Sequence, residues 1–326
     1  MPPVGSPEVS VCIPTYCRYS LLVRALNSVL RQDFESMEII ISDNASPDGS
    51  WEKTEQLCNL DHRIVVRRNE SNLGWTGNLN ECIKIARGKF IVFLCDDDEL
   101  LPGMIELASE FLRTHPAVGF VHSAVESISV MGKRYYTKSS TKAILSAGLE
   151  ALTETALSFH IIFSSVMVRR SCFEHLSYFI DSISADYEMW SRISVHYDVG
   201  YIEQPLARVY IHMISPAMTV ERYLSGSERL WKRVASYFPE GFRDSPILVH
   251  KGQSQLANGL RSLGIQAQLV GDWRRGHAFL SAALKTSDEY SRVSYIKDLL
   301  LSVPRRIRFL IKGKSIHATY VLKESN

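Results

Sequence analysis

The chain has 326 residues, 45% of them hydrophobic and 22% charged, the balance of a globular protein long enough for one large domain or two modest ones. With 37 basic against 35 acidic side chains the formal net charge is +2, so no overall field favours nucleic acid as a partner. The six cysteines contain no CxxC pair and are read as reduced thiols. The first residues lack a secretory leader, and no run approaches the ~18 apolar residues of a membrane span, so a cytoplasmic protein is expected.

In chain order, Val9, Val11 and Ile13 predict a first strand, and Pro14–Arg18 turns out of it into a helix whose Leu21, Leu22, Ala25, Leu26, Val29 and Leu30 recur at helical period. Glu38–Ser42 predicts a second strand, followed by the turn-rich Asp43–Gly49 and a helix around Ser50–Leu60. Arg63–Arg67 predicts a third strand, then Asn69–Asn78 and a helix through Leu79, Cys82, Ile83 and Ala86. The fourth strand, Phe90–Leu94, empties into Asp96, Asp97 and Asp98. Four alternations of strand and helix within residues 1–115 predict an α/β fold with a parallel, doubly wound, Rossmann-like sheet flanked by helices. Beyond Val118 the alternation is lost. Gly119–Val130 and Arg134–Tyr136 flank Met131-Gly132-Lys133 as a hairpin, and after Thr219 the pattern is helical. This gives an α/β domain over residues 1–218, in halves of about 1–115 and about 116–218, and a helical region over 219–326.

Ligands of open α/β sheets sit beyond the carboxyl ends of the strands, which places the three aspartates in the crevice. Adjacent carboxylates raise one another's pKa unless a cation holds them ionised. Mg²⁺ or Mn²⁺ is the simplest partner, because both take oxygen ligands and are commonly shared between carboxylates and a substrate's phosphates. The alternative for Asp98 and Glu99 is to cap the helix beginning near Pro102–Gly103.

The set VSVCIPTYCR (9–18), EIIISDNASPDGS (38–50), NESNLGWTGNLN (69–80), FLCDDDELLPG (93–103), ADYEMW (185–190) and VYIHMISPAMT (209–219) resembles, in order and spacing, the family 2 inverting glycosyltransferases of GT-A fold. The resemblance implies that Pro14, Thr15, Tyr16 and Arg18 line a nucleotide-sugar pocket and that Asp43 hydrogen-bonds the base. It also implies that Asp96, Asp97 and Asp98 hold a metal on the diphosphate, with Asp97 the first choice of metal ligand and Asp96 also counted with the sugar nucleotide. Asn72, Gly74 and Asn78 resemble the family's segment near the donor, with turn and cap chemistry as the alternative. Asp186 resembles the catalytic base, with Glu188 behind it and helix capping as the other reading. His212 resembles a histidine that binds metal or diphosphate, against an ordinary structural histidine.

Two departures stand out. Cys17 occupies a position usually held by Asn, and Cys95 stands where the metal motif of many members begins.

The expected activity is metal-dependent, inverting transfer of a sugar from a nucleoside-diphosphate sugar, of UDP or dTDP type, to a saccharide or lipid-linked saccharide, in cell-surface polysaccharide or glycolipid assembly. The alternative is a catalytically inactive relative that binds a sugar nucleotide or a partner. A dehydrogenase would need G-x-G-x-x-G after the first strand, and Pro14–Arg18 has no glycine. A sugar nucleotidyltransferase would be expected to place a glycine-rich basic loop there, which is absent too. Near the end, Leu299–Lys314 interleaves apolar and basic residues. It fits either a packed terminal helix or a segment lying on the inner membrane surface.

Overall fold

The structure, a computed structural model, describes residues 6–129, 132–137, 142–158, 161–211, 218–243, 245–269, 271–287, 294–295 and 298. His212 and the basic segment 299–314 lie outside the described residues. The chain divides into two compact units, Met1–Ile211 and His212–Asn326.

The first unit is built on one sheet. Strands β1 (Val9–Thr15), β2 (Met37–Asp43), β3 (Ile64–Arg68) and β4 (Phe90–Phe93) run parallel in the order β3-β2-β1-β4. Helices α1 (Tyr19–Leu30), α2 (Ser50–Thr54, continued as a 3₁₀ turn over Glu55–Asn59) and α3 (Gly74–Ile85) connect them. All residues of β1, β2 and β4 are buried, as expected of strands covered on both faces. Pro14 is tolerated in the central β1 because its missing N–H would face β4 beyond that strand's end. The last bond on that side runs from Leu94 N–H to Cys12 O.

The sheet continues through β9 (Val166–Arg169), which runs antiparallel between β4 and β6 (Val118–Ile128). Beyond it lie β10 (Asp198–Tyr210), parallel to β6, and the two-residue β5 (Glu99–Leu100), antiparallel to β10. The expected hairpin forms: β7 (Arg134–Thr137) pairs antiparallel with β6, and Ser129 and Lys133 are bonded across the turn. A further short strand, β8 (Ile144–Leu145), pairs with β10. One apolar layer packs α1 and α4 (Met104–Thr114) against the sheet. A second gathers α3, α6 (Ser171–Leu176) and α7 (Ala185–Ser194) around Phe93, Phe163, Phe173, Phe179 and Trp190. Helix α5 (Leu149–Ser158) completes the unit.

The described part of the second unit is helical: α8 (Val220–Ala235), α9 (Glu240–Arg243), α10 (Pro246–Leu269) and α11 (Trp273–Thr286). Thr219 caps α8 by accepting from Arg222 N–H at 3.1 Å, and Asp272 caps α11 by accepting from Arg275 N–H at 3.1 Å. No described helix is long and apolar enough to cross a membrane.

Candidate active site at the carboxyl edge of the sheet

Register sets the site. Thr15, Asp43 and Arg68 pair across the ends of β1, β2 and β3, and the acidic run leaves β4 beside them. Asp43 is fully buried; its Oδ1 accepts from Ser46 N–H at 3.0 Å and lies 3.5 Å from Arg68 Nε. Its Oδ2 is buried and accepts no hydrogen bond among the described residues. An unused buried carboxylate oxygen is costly unless a ligand donor completes it.

The three aspartates separate into two roles. Asp96 turns back toward the β1 edge, accepting from the Thr15 hydroxyl at 2.7 Å and from Arg18 at 3.3 Å. Burial pushes its carboxyl pKa up, and those two partners offset part of the rise. Asp97 is partly buried, with Arg18 at 2.6 Å from its carboxylate, while Arg24 bonds its carbonyl at 2.6 Å. Asp98 is buried, and desolvation raises its carboxyl to about 7. It accepts from Ser164 Oγ at 2.6 Å and from Tyr210 N–H at 3.1 Å. One donor atom each from Cys95, Asp97 and Asp98 lies within 4.8 Å of the other two. The two carboxylates of this set suit Mg²⁺ or Mn²⁺, so the residues fit a divalent cation, with Asp98 rather than Asp96 beside Asp97.

The capping alternative for Asp98 and Glu99 does not hold. Helix α4 begins after Gly103 with no side-chain cap. Glu99 instead accepts from Tyr210 Oη at 2.6 Å and has Arg24, Arg31 and Arg208 within 3.6–3.8 Å.

Asn72, Gly74 and Asn78 are tied into a network of asparagines. Asn78 Oδ1 accepts from Ser42 Oγ at 2.7 Å and Asn69 Nδ2 at 2.8 Å, and its amide donates to Ser42 O and Thr15 O at 2.9 and 3.5 Å. Every polar position of Asn78 is thereby engaged, which makes it a strut joining β1, β2 and α3. Asn44 donates to Asn72 Oδ1 at 2.9 Å and to Gly74 O at 3.1 Å. Gly74 has φ of 74° and open space where a Cβ would stand, so its glycine answers to backbone conformation, not to crowding.

Pro14 and Thr15 are buried, whereas Tyr16 is 42% exposed at the lip. Asp186 lies in the first turn of α7, whose cap residue is Ser184. Desolvation raises its carboxyl pKa, and the N–H groups of Asp186 and Tyr187 offset part of that rise. One turn on, Trp190 lies 6.3 Å from Phe163 and 6.4 Å from Phe93. The segment leading into α7 is clamped to α3, through Asn80 bonded twice to the Phe179 backbone and Thr76 3.4 Å from Asp181. Asp186 is thus carried on a helix that Trp190 packs against Phe93, in the strand that precedes the acidic run. Glu188 is fully buried and paired with Arg192 at 3.0 Å.

Sequence reasoning missed Ser164. Nothing in the spacing around it signals that its hydroxyl binds both Cys95 N–H, at 3.2 Å, and Asp98. It also missed Arg24, which joins the Asp97 carbonyl to Glu99 and covers the Tyr210 ring at 3.8 Å.

The site is thus an acidic cluster at the carboxyl edge of a mostly parallel α/β sheet. Residues 10–177 match the glycosyl transferase family 2 profile, and the chain belongs to that family. It is 35% identical over 133 residues to the GalNAc(5)-diNAcBac-PP-undecaprenol beta-1,3-glucosyltransferase of Campylobacter jejuni, covering 40% of this chain and 43% of that protein. The chain therefore spans less than half the length of that curated relative. Among solved structures it resembles S. aureus TarS 1-349 in complex with UDP-GlcNAc, with a TM-score of 0.58, 18% identity and coverage of 93% of this chain and 83% of that one. It also resembles the mannosyltransferase PcManGT from Pyrobaculum calidifontis in complex with GDP-Man and Mn²⁺, with a TM-score of 0.52, 17% identity and coverage of 96% and 89%. These two likenesses establish the GT-A fold.

Proposed function

We propose that this chain is a metal-dependent inverting glycosyltransferase that moves a sugar from a nucleoside-diphosphate sugar to a hydroxyl of a saccharide or lipid-linked saccharide, in cell-surface polysaccharide or glycolipid assembly. The observation that carries the reading is the pairing of an orphaned, buried Asp43 Oδ2 on β2 with an acidic cluster after β4. One strand stands between them, a gap of about 10 Å at ordinary inter-strand spacing, which suits a base at one end and a diphosphate at the other. Support comes from the family, from the lipid-linked saccharide in the Campylobacter relative's name, and from the sugar nucleotides bound by the two structural neighbours.

Asp43 would accept the imide N–H of uracil or thymine, favouring UDP or dTDP donors. Asp97 and Asp98 would hold Mg²⁺ or Mn²⁺, which supplies Lewis-acid stabilisation to the departing diphosphate. Arg18, half exposed beside Asp97, adds positive charge on the same side. Asp186 takes the proton of the acceptor hydroxyl as that oxygen attacks the anomeric carbon from the opposite face. A carboxylate with a raised pKa is a better base near neutral pH than an ordinary aspartate. A lipid-linked acceptor would bring the chain to the inner face of a membrane as a peripheral protein.

The test is release of nucleoside diphosphate from a panel of UDP-, dTDP- and GDP-sugars, with the anomeric configuration of the product read by NMR. Turnover of one donor with inverted product, reduced at least about a hundredfold in Asp186→Asn while nucleotide affinity is retained, is the expected result. Retention of configuration, or an Asp186→Asn enzyme of full activity, would contradict this mechanism.

A further inference from the structure

Cys95 has no role in this chemistry, yet it stands inside the cluster. Its peptide N–H donates to Ser164 Oγ, and the same hydroxyl donates to Asp98 Oδ2, so one serine fixes Cys95 and Asp98 relative to each other. Asp96, the neighbouring acid, accepts from the Thr15 hydroxyl and shares Arg18 Nη1 with Asp97. The trio brought together is Cys95, Asp97 and Asp98, with one donor atom from each within 4.8 Å of the others.

Cys12, Cys82 and Cys172 behave as small hydrophobes, each fully buried in the core. Cys95 also packs against that apolar core, but it is a free thiol of intermediate burial with its sulfur within 4.8 Å of a carboxylate oxygen of both Asp97 and Asp98. A thiol can donate only a weak hydrogen bond to a carboxylate, whereas a cation standing between them would bind both.

We propose that the Cys95 sulfur is a ligand of the divalent cation held by Asp97 and Asp98, giving the site a preference for Co²⁺ or Zn²⁺ over Mg²⁺. The inference rests on the metal-dependent function and narrows its choice of ion. Coordination breaks the S–H bond and releases that proton to solvent, while the sulfur lone pair forms the bond to the metal. Soft thiolate favours the later first-row ions, whereas Mg²⁺ demands oxygen donors and retains its waters. Mg²⁺ would then be held by Asp97 and Asp98 alone.

The experiment is a Co²⁺ titration of the full chain in the presence of UDP, reading the sulfur-to-cobalt charge-transfer absorption in the near ultraviolet. Calorimetry of UDP with each cation is run in parallel. The wild type is expected to show the band, Cys17→Ser to keep it and Cys95→Ser to lose it. In Cys95→Asp the ratio of Co²⁺ to Mg²⁺ affinity should fall at least about tenfold. Cation-dependent UDP binding without the band, or a band that survives in Cys95→Ser, would overturn the thiol assignment alone. Absence of any cation-dependent binding of UDP or dTDP to the wild type would overturn both this inference and the metal-dependent function.

Discussion

Cys17 holds a φ of 55°, in the left-handed region, with its N–H donated to Ser46 Oγ at 2.9 Å. That conformation is costly for most side chains and least so for Gly, Asn and Asp, which gives a physical reason for the Asn usual at this position in similar proteins. Cys17→Asn should therefore stabilise the chain by about 0.5–1 kcal/mol, read as a higher urea midpoint. A lower midpoint would show that the thiol has a packing role. At this scale the sequence was informative wherever a motif residue met its own backbone. Asp43 and Asp97 stand at the sheet edge where their motifs place them. That Asp96 would accept from Thr15 and share Arg18 with Asp97 was not legible, because both partners lie about 80 residues distant in sequence.

The elements owe their register to buried polar bonds as well as to apolar patterning. Asn78 is 2% exposed and joins β1, β2 and α3 through four hydrogen bonds. Asn78→Ala would leave the Asn69 amide and the Ser42 hydroxyl short of partners in a buried setting. A loss of about 2–4 kcal/mol is expected in chemical denaturation. A loss under about 0.5 kcal/mol would mean that water replaces the side chain at no penalty. The first four strands were readable because each is an apolar run bounded by turn residues. Strand β9 was not, since its antiparallel insertion between β4 and β6 is fixed by partners distant in sequence. The two-residue β5 arises from pairing with β10, and Glu99 read in isolation looked like a cap.

Across the whole molecule, the first unit carries a fully buried histidine that none of the proposed chemistry uses. Burial lowers His122 from 6.5 to about 3, so it folds neutral and is protonated in the unfolded chain below pH 6.5. Its contribution is present above that value and is lost as pH falls toward 3, with a limiting slope of about 1.4 kcal/mol per pH unit. Stability measured between pH 7 and 4 should decline in the wild type and decline less in His122→Gln. Equal slopes would assign acid sensitivity to other groups. The helical pattern read after Thr219 reappears in α8–α11 of the second unit.

The central claim, a cation-dependent nucleotide site built from Asp43 and the Asp97–Asp98 pair, is tested most directly by isothermal titration of UDP, dTDP and GDP, each with and without Mn²⁺, into wild type and Asp97→Ala. A uracil or thymine nucleotide is expected to bind in the presence of Mn²⁺. Affinity should drop at least about tenfold when the cation is withdrawn or Asp97 is removed. Binding that is indifferent to both, or no binding of any nucleoside diphosphate, would contradict it.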